Sequence, residues 1–211
     1  ASIFRLGNFD KTLTKISIGT ANKEVISYSE STTLKFENVT IKTPDNKREL
    51  VKDLNLSLKE KDKMIIVGES GVGKSSLLRS VAGLWNYGRG IIKKPNIMKT
   101  MFLPQQPYML LGSLREQVCY PNSKDDFGYD EIDKVLDRVG LSKLSKDHNV
   151  NEIKDWTRVL SVGEQQRLAF ARILINKPDF VILDEGTSAL DAINEQKLYK
   201  ILNDLDITYI S

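Results

Sequence analysis

The sequence predicts an α/β fold: a mostly parallel sheet with crossover helices, an N-terminal antiparallel β subdomain and an inserted helical subdomain. Three observations carry this. A glycine-rich stretch at 68–76 lies between a short apolar run and a helical pattern. A continuous apolar run, Phe180-Val181-Ile182-Leu183, follows Pro178 and reads as a strand buried on both faces. Between the two, residues 114–175 change to helical periodicity.

Each element follows from local pattern. Ile3, Leu6, Phe9, Leu13 and Ile16 make a loose helical stripe, and 17–33, rich in Ser, Thr, Asn and Lys, reads as a linker. Residues 34–41 alternate apolar and polar at Leu34, Phe36, Val39 and Ile41, with one slip, and 50–58 alternate again. The turn signal Pro44-Asp45-Asn46 joins them as antiparallel β. A buried strand is expected at 64–67, a helix at 75–84, and short strands at Ile91-Ile92 and Met101-Phe102-Leu103. The helical stretch breaks at Pro121-Asn122, Gly140 and His148-Asn149. A helix over 191–202 collects Ile193, Leu198, Ile201 and Leu202 on one side, and 207–210 start a last strand. The expected division is a linker over 1–33 and one domain over 34–211. Its core and β part are 34–104 and 178–211, and its helical part is 105–177.

Bulk properties narrow the function classes. The chain has 211 residues, with Lys+Arg 31 against Asp+Glu 28 and a net charge of +3. That near balance gives no basic stripe, so nucleic acid is not an expected partner. The single Cys119 cannot form an internal disulfide and reads as a small buried hydrophobe. No apolar run reaches the length of a membrane span and no signal-peptide pattern opens the chain. The chain itself is therefore expected to be soluble, with membrane contact made through other segments.

Residues 68–76, Gly-Glu-Ser-Gly-Val-Gly-Lys-Ser-Ser, match the phosphate-binding P-loop pattern G-x-x-x-x-G-K-[ST] in a strand–loop–helix setting. Glycines let the backbone fold around an anion, and N–H groups backed by a helix N-terminus favour negative charge. The candidate nucleotide-binding residues are Gly68, Glu69, Ser70, Gly71, Val72, Gly73, Lys74, Ser75 and Ser76. Lys74 would reach the β- and γ-phosphates, and the Ser75 hydroxyl would sit on Mg²⁺. Asp184, at the end of the apolar strand, would hold Mg²⁺ opposite Ser75. Glu185 follows it, points elsewhere, and can orient or deprotonate a water attacking the γ-phosphate.

The stretch Leu160-Ser161-Val162-Gly163-Glu164-Gln165-Gln166-Arg167 completes a set that resembles the ATP-binding-cassette family. The family signature is usually Leu-Ser-Gly-Gly-Gln, and this chain carries Val162 and Glu164 instead. Ser188-Ala189-Leu190-Asp191 and Gln105 in Phe102-Leu103-Pro104-Gln105 fit the same family. Several peptides look like subfamily D, the peroxisomal fatty-acyl half transporters and their bacterial relatives: Gly112-Ser113-Leu114-Arg115-Glu116-Gln117, Asp155-Trp156 and Gly83-Leu84-Trp85. Phe4-Arg5-Leu6-Gly7 looks like the linker leaving a last membrane helix.

The resemblance implies a motor domain that binds and hydrolyses ATP and drives translocation through a transmembrane domain. Its partners would be that membrane domain and a second nucleotide-binding domain, on the cytoplasmic face. Two such domains would sandwich two Mg-ATP, each held by one phosphate loop and the opposing Ser161, Val162, Gly163 and Glu164, with Asp191 facing the other subunit. Gln105 would join the Mg²⁺ ligands and, with Glu185 and Lys74, the catalytic set. Ser161-x-x-Glu164 also reads as a capping box, so Ser161 would cap its own helix until it turns to a partner's γ-phosphate. The alternatives are a soluble ATPase of the same type and a nucleotide-binding regulatory module. Three departures matter. Thr43 takes the place of the family's adenine-stacking aromatic residue, and Gly186 follows the acidic pair. The switch histidine is missing before Ser211, so binding with slow hydrolysis is expected. His148, the only histidine, is expected to be a solvated loop residue.

Overall fold

The computed structural model describes residues 24–211. The stripe on Ile3, Leu6, Phe9, Leu13 and Ile16 lies outside these residues. The strands are β1 (Ser27–Glu30), β2 (Leu34–Lys42), β3 (Glu49–Leu58), β4 (Lys63–Met64), β5 (Gly88–Lys94), β6 (Thr100–Leu103), β7 (Leu111–Gly112), β8 (Lys154–Asp155), β9 (Phe180–Leu183) and β10 (Thr208–Ile210). The helices are α1 (Lys74–Ala82), α2 (Leu114–Cys119), α3 (Tyr129–Arg138), α4 (Leu144–Asp147), α5 (Trp156–Val159), α6 (Val162–Asn176) and α7 (Ala192–Asp204).

One sheet has the order β4-β10-β9-β6 with every pairing parallel. β9 lies inside it. Phe180 and Ile182 point into one core with Phe36, Ile92 and Leu78, whereas Val181 and Leu183 point into the other with Leu168, Ile173 and Leu198. That is the period of two expected of a strand covered on both sides, and it explains the unbroken apolar run.

The second sheet has the order β1-β5-β2-β3. β2 is antiparallel to β3 and β5, but β1 runs parallel to β5. Residues 27–30 are thus an edge strand inside the stretch read as linker. All four are exposed, so no apolar alternation announced them; buried Ile26 just before them is the anchor. The slip in the β2 pattern is a bulge. The ladders shift register between Phe36 and Val39, and Asn38 takes a φ of 49°, so Phe36, Val39 and Ile41 all stay buried. Opposite the bulge Gly90 has φ 102°, and a Cβ there would lie 2.5 Å from the Asn38 carbonyl oxygen. Only glycine fits.

The run at 64–67 is a shorter and less buried strand than expected. β4 covers two residues, prolonged by the Ile66 N–H donating to Ser211 O at 2.6 Å. Among the described residues β4 has one neighbour in the sheet order, and Ile65 and Val67 beyond it are 62% and 85% exposed.

Between β6 and β9 the chain is mostly helical, with one two-residue ladder, β7 with β8, that periodicity does not reveal. Trp156 is fully buried there and donates Nε1–H to Gly112 O at 2.8 Å. His148 is not a solvated loop residue. It is half-buried, edge-on to Trp156 at 5.6 Å between ring centres, with Lys154 Nζ 3.4 Å from Nδ1. Cys119 is buried, and desolvation pushes its thiol up to about 11. Arg172 is buried without a carboxylate, giving its guanidinium hydrogens to the carbonyl oxygens of Gln117 and Tyr108, each at 2.7 Å. Gln117 in turn brackets Leu110, accepting from its N–H at 2.9 Å and donating to its carbonyl at 2.6 Å. These bonds seat the segment 108–112, which leads back to Gln105.

Trp156→Phe removes the donor to Gly112 O inside a dry core, and the unpaired carbonyl should cost about 1–3 kcal/mol in urea unfolding. α2 begins with a capping box in which Glu116 accepts from the N–H and hydroxyl of Ser113 and pairs with Lys124. Those contacts hold its carboxyl down from 4.5 to about 2. A carboxyl depressed in the folded state stabilises above its unfolded value and loses that contribution as pH falls through its folded value. Thermal melts between pH 4.5 and 2 should therefore show a shallower decline for Glu116→Gln than for the parent.

Candidate nucleotide-binding site

The loop 68–73 connects the β4 segment to α1 at the end of the parallel sheet where β9 delivers Asp184 and Glu185. Gly73 is the N-cap of α1 with φ 110°, and a Cβ at that position would meet Leu50 Cβ at 2.9 Å. A residue without a side chain is required by both backbone and packing. Gly73 can offer no capping side chain, and the first turn of α1 holds no acid. Every other described helix has a side-chain cap or an acid in its first turn. The N-terminal N–H groups and the positive end of the dipole at α1 are thus left for an external anion.

Lys74 lies across this loop, with Nζ donating to Gly68 O at 2.7 Å and to Glu69 O at 2.8 Å. Glu69, Ser70, Gly71 and Val72 are exposed, while Ser75 and Ser76 are half-buried in the first turn of α1. The ammonium is therefore held at the loop that a phosphate would enter.

The two carboxylates at the end of β9 diverge. Asp184 is buried, its N–H in the ladder to Leu103 O at 2.9 Å and its Oδ2 accepting from Arg79 Nε at 3.1 Å. Glu185 is exposed and takes a φ of 52°, an uncommon conformation for a residue with a side chain. Its Oε2 accepts from Gln105 Nε2 at 2.8 Å, which leaves the Gln105 amide oxygen for another partner. Among the described residues no three His, Cys, Asp or Glu side chains converge on a metal site. The candidate donors are the Ser75 hydroxyl, the Asp184 carboxylate and the Gln105 amide oxygen. An all-oxygen set of this kind suits a hard divalent cation such as Mg²⁺.

Ser161 caps α6. Its hydroxyl accepts from Glu164 N at 3.3 Å, and Glu164 Oε2 accepts from the Ser161 N–H at 2.9 Å and hydroxyl at 2.8 Å. Burial would raise the Glu164 carboxyl, but the two Ser161 bonds and the Arg167 charge outweigh it and leave it lowered. Val162 is exposed, and a Cβ on Gly163 would come 3.3 Å from the Ala189 carbonyl oxygen. Asp191 caps α7 through Asn194, whose backbone and side-chain N–H groups lower its carboxyl. Thr43 is spent in its own turn, donating to Asp45 and accepting from Arg48 N at 3.2 Å. Phe36 is core.

Two residues of this region carry no role in the sequence reading. Arg79 is the partner of Asp184; its only signal is a spacing of four from Ser75 on a short helix. Gln166 is buried and joins three segments: Nε2 donates to Gln105 O at 3.3 Å and Ser188 Oγ at 3.4 Å, and Oε1 accepts from Ala189 N at 3.0 Å. Nothing in the pair Gln165-Gln166 marks which one does this. Beside it lies a cavity of about 460 Å³ lined by Gln106, Pro107, Thr157, Val162 and Ser188 among others.

The geometry agrees with comparisons to known proteins. The model of the ABC transporter family matches residues 51–188. An uncharacterized ABC transporter ATP-binding protein of Synechocystis is 44% identical over 100% of this chain and 33% of its own length. The chloroplastic ABC transporter D family member 2 of Arabidopsis thaliana is 36% identical over 90% of this chain and 33% of its length. The chain thus spans about a third of the length of these relatives. A bacterial Atm1-family ABC exporter solved with ATP bound shares the fold, with a TM-score of 0.74 at 23% identity over 98% of this chain and 40% of that one. The chain belongs to the ABC transporter family, as a nucleotide-binding domain similar to those of its D family members.

Proposed function

We propose that this domain is the motor of a membrane transporter, binding and hydrolysing ATP as two copies close around two Mg-ATP. The observation that carries the reading is the open N-terminus of α1, with Lys74 across its loop and Asp184 at the end of β9, bonded to Arg79 of the same helix. On binding, Lys74 exchanges the carbonyls of Gly68 and Glu69 for phosphate oxygens, while the N–H groups of 71–75 take the remaining charge. Ser75, Asp184 and Gln105 are the residues that would hold Mg²⁺, which supplies positive charge against the phosphates. Glu185 accepts the proton of the attacking water, and Gln105, already bonded to it, aligns that water.

Ser161 and Asp191 are occupied within their own helices, and no hydrogen bond among the described residues ties them to the loop 68–76. They serve the facing subunit: Ser161 turns from Glu164 to the γ-phosphate held there. The likeness to a full-length exporter and to D family transporters supports a transmembrane domain on which this one acts, at the cytoplasmic face; no described helix is long and apolar enough to cross a membrane.

Lys74→Ala should abolish most ATP affinity in titration calorimetry, by about tenfold or more for a lost charge-assisted contact. Unchanged binding would refute the site. Ser161→Ala should leave ATP binding by the monomer within about twofold, yet weaken ATP-dependent dimerisation measured by sedimentation by about tenfold, the scale of one lost hydrogen bond to a charged group. Equal losses in both measurements would refute the division between own and opposing site.

A further inference from the structure

The Asp184 side chain is 2% exposed, and a carboxylate in that position carries a large desolvation cost unless a cation meets it. The cation that meets it is Arg79, one helical turn beyond Ser75 on the same face of α1. The contact is a single Nε–H to Oδ2 at 3.1 Å, not the two-pronged fork of which a guanidinium is capable. It leaves Oδ1 for a second cation, and the Arg79 side chain is 44% exposed where that of Asp184 is buried.

We propose that Arg79 is the resident counter-ion of Asp184, standing in for the divalent cation before nucleotide arrives and lowering that cation's affinity by sharing the same carboxylate. The proposal rests on the reading of Asp184 as a magnesium residue. Two cations on one buried carboxylate repel each other, so each weakens the other by the same factor. Arg79 keeps the nucleotide-free domain folded around a buried charge, and the site then takes up metal only with the phosphates. A residue that merely positioned Asp184 would act in the opposite sense, its loss weakening metal binding.

The test compares the affinity of the purified protein for a fluorescent ATP analogue in EDTA and in Mg²⁺; the ratio reports the metal's contribution without reference to turnover. Arg79→Met should raise that ratio by about threefold to tenfold, the scale of removing one charge near a partly solvated divalent ion. It should also lower the melting temperature of the nucleotide-free protein, with Mg-ATP restoring more of it than in the parent. Arg79→Lys should stay near the parent in both. An unchanged or reduced ratio in Arg79→Met overturns the counter-ion role. Asp184→Asn tests the underlying reading separately: its ratio should collapse towards one, and a ratio like the parent's overturns the magnesium assignment itself. If Arg79→Met cannot be isolated folded, the double variant Arg79→Met/Asp184→Asn, which removes both charges, should be. A double variant equally unable to fold also overturns the proposal.

Discussion

Burial of β9 on both faces is the constraint from which the rest of the site follows. A strand whose alternate side chains enter two separate cores cannot slide or rotate without exposing one of them. Its C-terminal end is therefore a rigid point, and two carboxylates sit on it in succession. The pleat and the positive φ at Glu185 send them apart, Asp184 inward to α1 and Glu185 outward to Gln105. The different surroundings of the two carboxylates are thus a consequence of strand geometry.

Four charged or polar side chains of the site already have partners within the chain. Lys74 rests on loop carbonyls, Asp184 on Arg79, Glu185 on Gln105, and Ser161 on Glu164. A ligand there would trade these side-chain contacts for its own and would also meet the uncapped N-terminus of α1. Each exchange changes the free energy by about 1 kcal/mol or a little more where charge is involved, far less than leaving a buried polar group unpaired.

Gln166 connects the parts that must trade. It holds the Gln105 backbone, Ser188 and Ala189, and it lies in α6 two residues after the capping Glu164. Gly163 lets the start of α6 approach Ala189 closely. One buried amide thus ties α6 to the segments on either side of β9, and the Arg172–Gln117 bonds anchor α6 to α2.

By itself the sequence determined whatever depends on local backbone chemistry. The glycines of 68–73, the caps at Ser161 and Asp191, the apolar run of β9 and the slip in β2 are all written in a few consecutive residues, because φ, periodicity and capping act over one turn or one pleat. Tertiary structure decided what depends on register between distant segments. Arg79 and Asp184 are 105 positions apart, and Gln105 and Glu185 are 80 apart. Exposed residues 27–30 became a strand only because the edge of β5 was free to pair, and 64–67 lost their expected burial where β4, among the described residues, has a neighbour on one side alone. A hydrogen-bond partner, a sheet edge and a salt bridge are properties of two chain segments at once, so no pattern in either segment can announce them.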